Sequence, residues 1–262
     1  MDLICPGRSL FYFYDKTGEE KYRKAIELIK TQIDAQPRTS EGAFWHKQIY
    51  PHQIWLDGVY MAEPFYAEYA KRYMSGAEQA EAYKEIVNEF ITAAKHTYDP
   101  ATGLYRHAWD ESRSMFWCDP QTGQSQHCWG RALGWYCMAI VEVLDYLPEN
   151  LAERQSLIDL LKSICAELPK WADPVSGVWY QVLDQPGREG NYLEATCSAM
   201  FSYTFLKGIR MGYLDKDLLP YAKKVYADVV NRGYSTSKGV TVSLRKSAVD
   251  GDVVDSVALD TL

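Results

Sequence analysis

The segment Trp55-Leu56-Asp57-Gly58-Val59-Tyr60-Met61-Ala62-Glu63-Pro64 sets an acid at the opening of an apolar helical run, with His46 and Lys47 in the loop just ahead of it. Two chemistries suit Asp57. As the residue where a helix begins, it is a good N-cap. As a carboxyl group facing an aromatic cavity beside Trp45 and Trp55, it would be desolvated, its pKa would rise, and it could serve as a general acid. Position alone does not choose between them. His46 and Lys47 would give local positive charge for an acidic sugar, although either alone is more often an ordinary surface group.

A second constellation is His127-Cys128-Trp129-Gly130-Arg131-Ala132-Leu133-Gly134-Trp135. Arg131 and Trp135 stand four apart and so share one helical face. An arginine one turn from an indole suits a carboxylate clamp above a stacking platform; the alternative is an arginine satisfying loop carbonyls. Gly130 and Gly134 fit close helix packing better than chemistry. Arg106-His107-Ala108-Trp109-Asp110 and Tyr192-Leu193-Glu194 are further candidates for the mouth of a cavity, with Glu194 better read as a cap-region acid than as a catalyst. No GxGxxG or Walker-type loop, HExxH or GxSxG occurs, and the five histidines are not paired with carboxylates at metal spacing. No metal or cofactor is expected.

The elements that must position these residues follow a repeat. Ser40-Glu41-Gly42-Ala43-Phe44-Trp45-His46 returns as Asp99-Pro100-Ala101-Thr102-Gly103-Leu104-Tyr105-Arg106-His107, then as Asp173-Pro174-Val175-Ser176-Gly177-Val178-Trp179-Tyr180-Gln181, and more faintly as Ser237-Lys238-Gly239-Val240. The glycines are 61, 74 and 62 residues apart. Asp-Pro-x-Thr/Ser-Gly is turn chemistry, with Pro presetting φ and Gly accepting positive φ. Between the turns, apolar runs (58–74, 129–147, 193–213) alternate with amphipathic ones (20–35, 78–98, 151–171, 217–234). A helix apolar on most sides belongs in an inner layer, and an amphipathic one packs outside it. The predicted fold is an all-α toroid of helical hairpins, read as one catalytic domain over residues 1–262, with no strand pattern before the tail. A closed ring of six hairpins needs roughly six times 60 residues; about four units are visible, so the ring is expected to be incomplete at both ends.

Bulk composition narrows the partners. The chain has 262 residues, a net charge of −7 and no basic run, which argues against nucleic acid. No stretch approaches 18 uninterrupted apolar residues, so no membrane span is expected. Six cysteines without paired spacing, several inside apolar runs, fit a reducing, cytoplasmic setting. The 20 Tyr and 8 Trp are unusual, and such rings both fill cores and stack on sugars.

The stretches HKQIYPHQIWLDGVYMAEPFYAEYA, TGLYRHAWDES, WGRALGWY and DLICPGRSLFYFYDKTGEEKYRKA together resemble the unsaturated rhamnogalacturonyl hydrolases, family 105 of the glycoside hydrolases, related to the unsaturated glucuronyl hydrolases. The resemblance runs from about Asp2 to Gly239 and implies an (α/α)6 barrel. It also implies a small oligosaccharide substrate ending in a 4,5-unsaturated uronic acid, left on pectin fragments by lyases. Hydrolysis in that family begins by protonating and hydrating the vinyl-ether double bond, unlike the two-carboxylate displacement of ordinary glycosidases. By the same resemblance Asp57 matches the acid/base aspartate and Asp2 the second active-site aspartate. His107, Arg131 and Trp135 match positions lining the uronate site, and His46, Lys47 and Trp55 belong to the matching stretch ahead of it. The competing expectations are a truncated, inactive toroid that at most binds sugar, and another toroid enzyme such as a lyase or epimerase.

Overall fold

The alternation of apolar and amphipathic runs becomes two helical layers in the computed structural model. The structure describes residues 1–231, and beyond them the strands Gly233–Ser235 and Thr241–Ser243. A 3-10 turn, Cys5–Gly7, carries Pro6 and leads into α1 (Arg8–Thr17), followed by α2 (Glu20–Asp34). Then come α3 (Leu56–Tyr73) with α4 (Gly76–Thr97), α5 (Gly130–Val143) with α6 (Arg154–Glu167), and α7 (Ala195–Arg210) with α8 (Leu219–Asn231). The described residues therefore hold four consecutive hairpins of an α/α toroid.

Burial explains which helix goes inside. In α5 nearly every residue is buried, whereas α2 buries only Ile26, Lys30 and Ile33. Helix α3 packs on α5 and α5 on α7, forming the inner layer, while α4 and α6 lie outside against their own partners and each other. Large side chains between the layers, among them Phe65, Phe90, Tyr136 and Phe201, are fully buried, each worth about 1.5–3 kcal/mol of transfer free energy. Gly134 lets α5 close on α7, because a Cβ there would meet Met200 Sδ at 2.8 Å. All six cysteines are free thiols and five are buried, as small apolar side chains would be. Among the described residues no helix is long and apolar enough to cross a membrane.

The repeating turns form as their chemistry requires. Gly42, Gly103 and Gly177 have φ of 85°, 72° and 74°. Asp99 O accepts from Gly103 N at 2.8 Å and Asp173 O from Gly177 N at 2.7 Å. A further turn of the same kind, Asp119-Pro120-Gln121-Thr122-Gly123, lies in the connection to α5, with Gly123 N donating to Asp119 O at 2.8 Å. It accounts for the longer spacing between the second and third glycines. The faint fourth turn, Ser237–Val240, and the polar stretch 245–252 lie outside the described residues.

Strands do occur before the tail, contrary to expectation. β1 (Gln53–Trp55) and β4 (Ala108–Asp110) pair antiparallel, as do β2 (Tyr98–Asp99) and β3 (Leu104–Tyr105); β5 and β6 are the pair at 233–235 and 241–243. Each has only two or three residues, too few for an alternating pattern to register in sequence. Their effect is to lace successive connections together. Leu56 N donates to His107 O at 3.0 Å, and Gly130 N to Gln181 O at 2.8 Å. The residue four places after a turn glycine thus holds the first turn of the preceding inner helix.

Candidate active site

Asp57 is the second residue of α3, not its cap. Trp55 holds the N-cap position and its side chain makes no capping bond. Both the carboxylate's neighbours and its place in the first turn follow from the β1–β4 pairing. Trp55 opposes Ala108, so the preceding residue, His107, arrives beside the helix start. His107 Nε2 stands 3.1 Å from Asp57 Oδ1. The side chain of Asp57 is largely buried but keeps 18% of its surface exposed.

His46 enters from the first connection. Its Nε2 is 3.9 Å from Asp57 Oδ2 and 3.9 Å from Asp2 Oδ1, so the two aspartates converge on one imidazole edge. The ring is buried and stacks on Trp55, with centroids 4.5 Å apart and planes 12° apart. Tyr50 covers the indole at 5.1 Å, and Trp55 Nε1 donates to Gln53 Oε1 at 2.9 Å. Lys47 Nζ reaches Asp2 Oδ2 at 2.7 Å. Trp45, expected beside Asp57, packs instead against His52, with ring centroids 4.6 Å apart and planes tilted by 52°.

Two electrostatic expectations are reversed. Burial does push the Asp57 carboxyl upward, but the hydrogen bond and charge of His107, followed by His46 and the residue's own main-chain N–H, outweigh it and hold Asp57 below the usual carboxylate range. Asp57 is therefore an anion near neutral pH, and His107 Nε2–H is the donor between them. His46 does not supply positive charge. Burial lowers it to about 4 in spite of Asp57 and Asp2, so its ring is neutral near pH 7. Lys47 is raised by its bond to Asp2, and its charge is spent on that pair.

The second constellation lies across from the first. Trp129 caps α5 as Trp55 caps α3, so Trp55-x-Asp57 and Trp129-x-Arg131 occupy equivalent places in successive hairpins. His107 stands edge-on between the two indoles, 5.1 Å from Trp55 and 4.9 Å from Trp129. Arg131 lies over Trp129 at 5.0 Å, and its Nε and Nη2 both meet Glu194 Oε1 at 2.8 Å. Glu194 is fully buried and caps α7 by accepting from Cys197 N at 2.9 Å, which agrees with its reading as a cap-region acid. The carboxylate that Arg131 engages is thus the protein's own. Trp135 packs on Tyr60 at 4.6 Å, and Tyr60 lies one turn beyond Asp57 on α3.

Asp57, Asp2, His46, Lys47, Trp55 and His107 therefore form one cluster, and Arg131 and Trp135 join it through Trp129 and Tyr60. Sequence reasoning missed Trp129 and Tyr60 as the aromatic neighbours that join the two constellations. The signal for Trp129 was present in the recurrence of Trp-x-Asp and Trp-x-Arg at inner-helix starts. The hydroxyl of Tyr60 accepts from Arg8 Nη1 at 3.1 Å, and Arg8 pairs with Glu142 of α5; nothing in local sequence links these three.

Comparison with known proteins gives a consistent picture. The family model described as Glycosyl Hydrolase Family 88 matches residues 1–254. A solved structure of a family 105 glycoside hydrolase from C. acetobutylicum ATCC 824 is 45% identical, with a TM-score of 0.83, covering 90% of this chain and 64% of that one. The unsaturated rhamnogalacturonyl hydrolase YesR of Bacillus subtilis is 26% identical over 233 residues, 86% of this chain and 63% of that protein. Protein Atu3128 of Agrobacterium fabrum is 38% identical over 157 residues, 59% of this chain. The chain spans about 63% of the length of these curated relatives.

Proposed function

The chain belongs to Glycosyl Hydrolase Family 88, and from that membership we propose that it hydrolyses oligosaccharides ending in a 4,5-unsaturated uronic acid, with pectin-derived rhamnogalacturonan fragments as the substrate class. The observation that carries the reading is the Asp57–His107 pair, 3.1 Å apart at an inner-helix start and walled by Trp55 and Trp129. The printed name of YesR supports the rhamnogalacturonyl substrate.

Asp57 is the acid/base. An arriving uronate brings negative charge and displaces water, and both effects raise the pKa of a neighbouring carboxyl group. Asp57 thus takes up a proton as the complex forms and delivers it to C4 of the vinyl ether, leaving positive charge shared by C5 and the ring oxygen. Water adds at C5 and returns a proton to the Asp57 carboxylate. The resulting hemiketal opens at the ring oxygen, and C1, now a hemiacetal, releases the aglycone as its alcohol. His107 steadies the anionic form of Asp57 between these steps. Trp55, Trp129 and Trp135 offer stacking faces, and Arg131 adds positive potential for the uronate. Asp2 faces the same imidazole edge as Asp57 and is the second acidic group of the site. The unpaired thiols fit action in a reducing, cytoplasmic setting.

The test is turnover of an unsaturated rhamnogalacturonan disaccharide beside its saturated counterpart. Loss of ultraviolet absorbance with release of the neutral sugar, from the unsaturated compound only, supports the proposal. Cleavage of the saturated compound at an equal rate, or of neither, overturns it.

A further inference from the structure

His46 carries a feature that substrate binding does not explain. Its Nδ1 is buried without a hydrogen-bond partner. The reason is Gly58: a Cβ at that position would lie 2.5 Å from Nδ1. The glycine lets the imidazole press against the first turn of α3 while its face stacks on Trp55. The opposite edge, Nε2, is the one that stands 3.9 Å from both Asp57 Oδ2 and Asp2 Oδ1.

The ring has one proton to place when neutral. On Nδ1 it would be a buried donor with no acceptor, and the Nε2 lone pair would face two carboxylates. On Nε2 it faces both acceptors, and Nδ1 is left with only an unused lone pair. An orphaned donor is costly and repulsion between lone pair and carboxylate adds to it, so the second arrangement wins. We propose that Gly58 locks His46 as the neutral Nε2–H tautomer, making it a positioning residue whose single proton faces Asp57 and Asp2 together. The inference rests on the reading of Asp57 as the acid/base.

The charged groups around this edge are Asp2, Asp57, Lys47 on Asp2, His107 on the far oxygen of Asp57, and the Met1 amino group, which donates to His46 O at 3.0 Å. Burial holds His46 near 4 among them, so the proton count of the ring does not change through neutral pH. A fully charged imidazolium would fix both aspartates as anions and hinder protonation of Asp57. A Nδ1–H tautomer would invite Asp57 to donate to Nε2 instead of to substrate. The neutral Nε2–H form biases Asp57 toward the anion yet leaves it free to take up a proton when an anionic sugar arrives.

The direct test is long-range proton–nitrogen correlation spectra of the protein labelled with nitrogen-15 histidine. The His46 ring is expected to show the neutral Nε2–H pattern from about pH 5 to about pH 8, above its depressed value. A Nδ1–H pattern, or titration near the ordinary histidine value, overturns the proposal. Asp57 carboxyl-carbon titrations then read the consequence. His46→Gln, whose amide N–H reaches the Nε2 position, should raise the Asp57 midpoint less than His46→Asn does, because it keeps a donor at that edge although it loses the charge the ring gains below about 4. His46→Asn and Gly58→Ala should raise it by about one unit, tenfold in proton affinity. An unchanged midpoint in His46→Asn contradicts the positioning role. These spectra need no turnover, so a protein inactive on the unsaturated disaccharide sinks the hydrolase reading while leaving the tautomer result standing.

Discussion

His107 holds the start of α3 twice: its carbonyl accepts from Leu56 N at 3.0 Å, and its Nε2–H meets Asp57 Oδ1 at 3.1 Å. The turn at Gly103 therefore fixes both where the inner helix begins and what its acid touches. A residue fifty positions away in sequence thus helps hold the Asp57 carboxyl group below the usual carboxylate range.

Removing that partner changes the pH response of Asp57. Its folded pKa lies below the unfolded value, so its contribution to stability is complete above the unfolded value and is lost as pH falls through the folded one. In His107→Ala the carboxyl group rises toward the normal range. The expected result is an alkaline limb of kcat/KM displaced to higher pH, because the proton that Asp57 must deliver is held further up the scale, with a fall in kcat of about tenfold or more as the anion loses its donor. An unmoved alkaline limb would show that His107 does not govern Asp57.

His46 gives a second, separate pH signature. Its folded value near 4 is below the ordinary 6.5, so the unfolded chain takes the proton first. Stability is full above the ordinary value and declines as pH drops toward 4, by about 3 kcal/mol in total. Denaturant titrations across this range should show the decline in the wild type and a much flatter curve in His46→Gln. Equal slopes in the two proteins would mean that the ring titrates normally.

Behind the first connection, Glu63 and Glu89 form a buried acidic pair with the opposite sign. Neither Glu63 oxygen has a hydrogen-bond partner, whereas Glu89 Oε2 accepts from Phe44 N at 2.7 Å. Burial raises Glu63 well above its ordinary value and lifts Glu89 to about 8. A raised carboxyl is fully compatible with the fold below its unfolded pKa and costs stability as pH climbs toward the folded one. Glu89→Gln keeps an acceptor for Phe44 N. It should raise Tm by several degrees near pH 8.5 and leave it unchanged near pH 4. A lower Tm at alkaline pH would contradict the assignment.

The Arg131–Glu194 pair separates a structural role from a binding one. Glu194 is fully buried and also caps α7. Arg131→Met leaves that charge uncompensated and should cost about 3–5 kcal/mol. Adding Glu194→Gln, which retains an oxygen for Cys197 N, should recover much of the stability while KM for the unsaturated uronide stays high. Recovery of KM along with stability would assign Arg131 to structure alone.

Much of the architecture was legible because it depends on local pattern. Residues 58–74 and 129–147 are apolar on nearly all sides, 20–35 on one face only, and these become α3, α5 and α2. Gly42, Gly103 and Gly177 take the positive φ their turn sequences imply. What was not legible depends on partners distant in sequence. The aromatic neighbours of Asp57 suggested a raised pKa, but the decisive partner, His107, arrives through a strand pairing of three residues. His46 looked like a cation until its burial against Gly58 and Trp55 was visible. The Arg131–Glu194 pairing was not legible either, because Glu194, 63 residues on, gave no local sign of meeting it.

The most direct measurement is the turnover of Asp57→Asn on the unsaturated disaccharide, followed by ultraviolet absorbance with Tm recorded on the same sample. Asparagine preserves the shape of the side chain but cannot deliver a proton. A loss of at least about 100-fold in kcat in a protein that melts like the wild type is the expected result. Turnover within a fewfold of the wild type would contradict Asp57 as the acid/base.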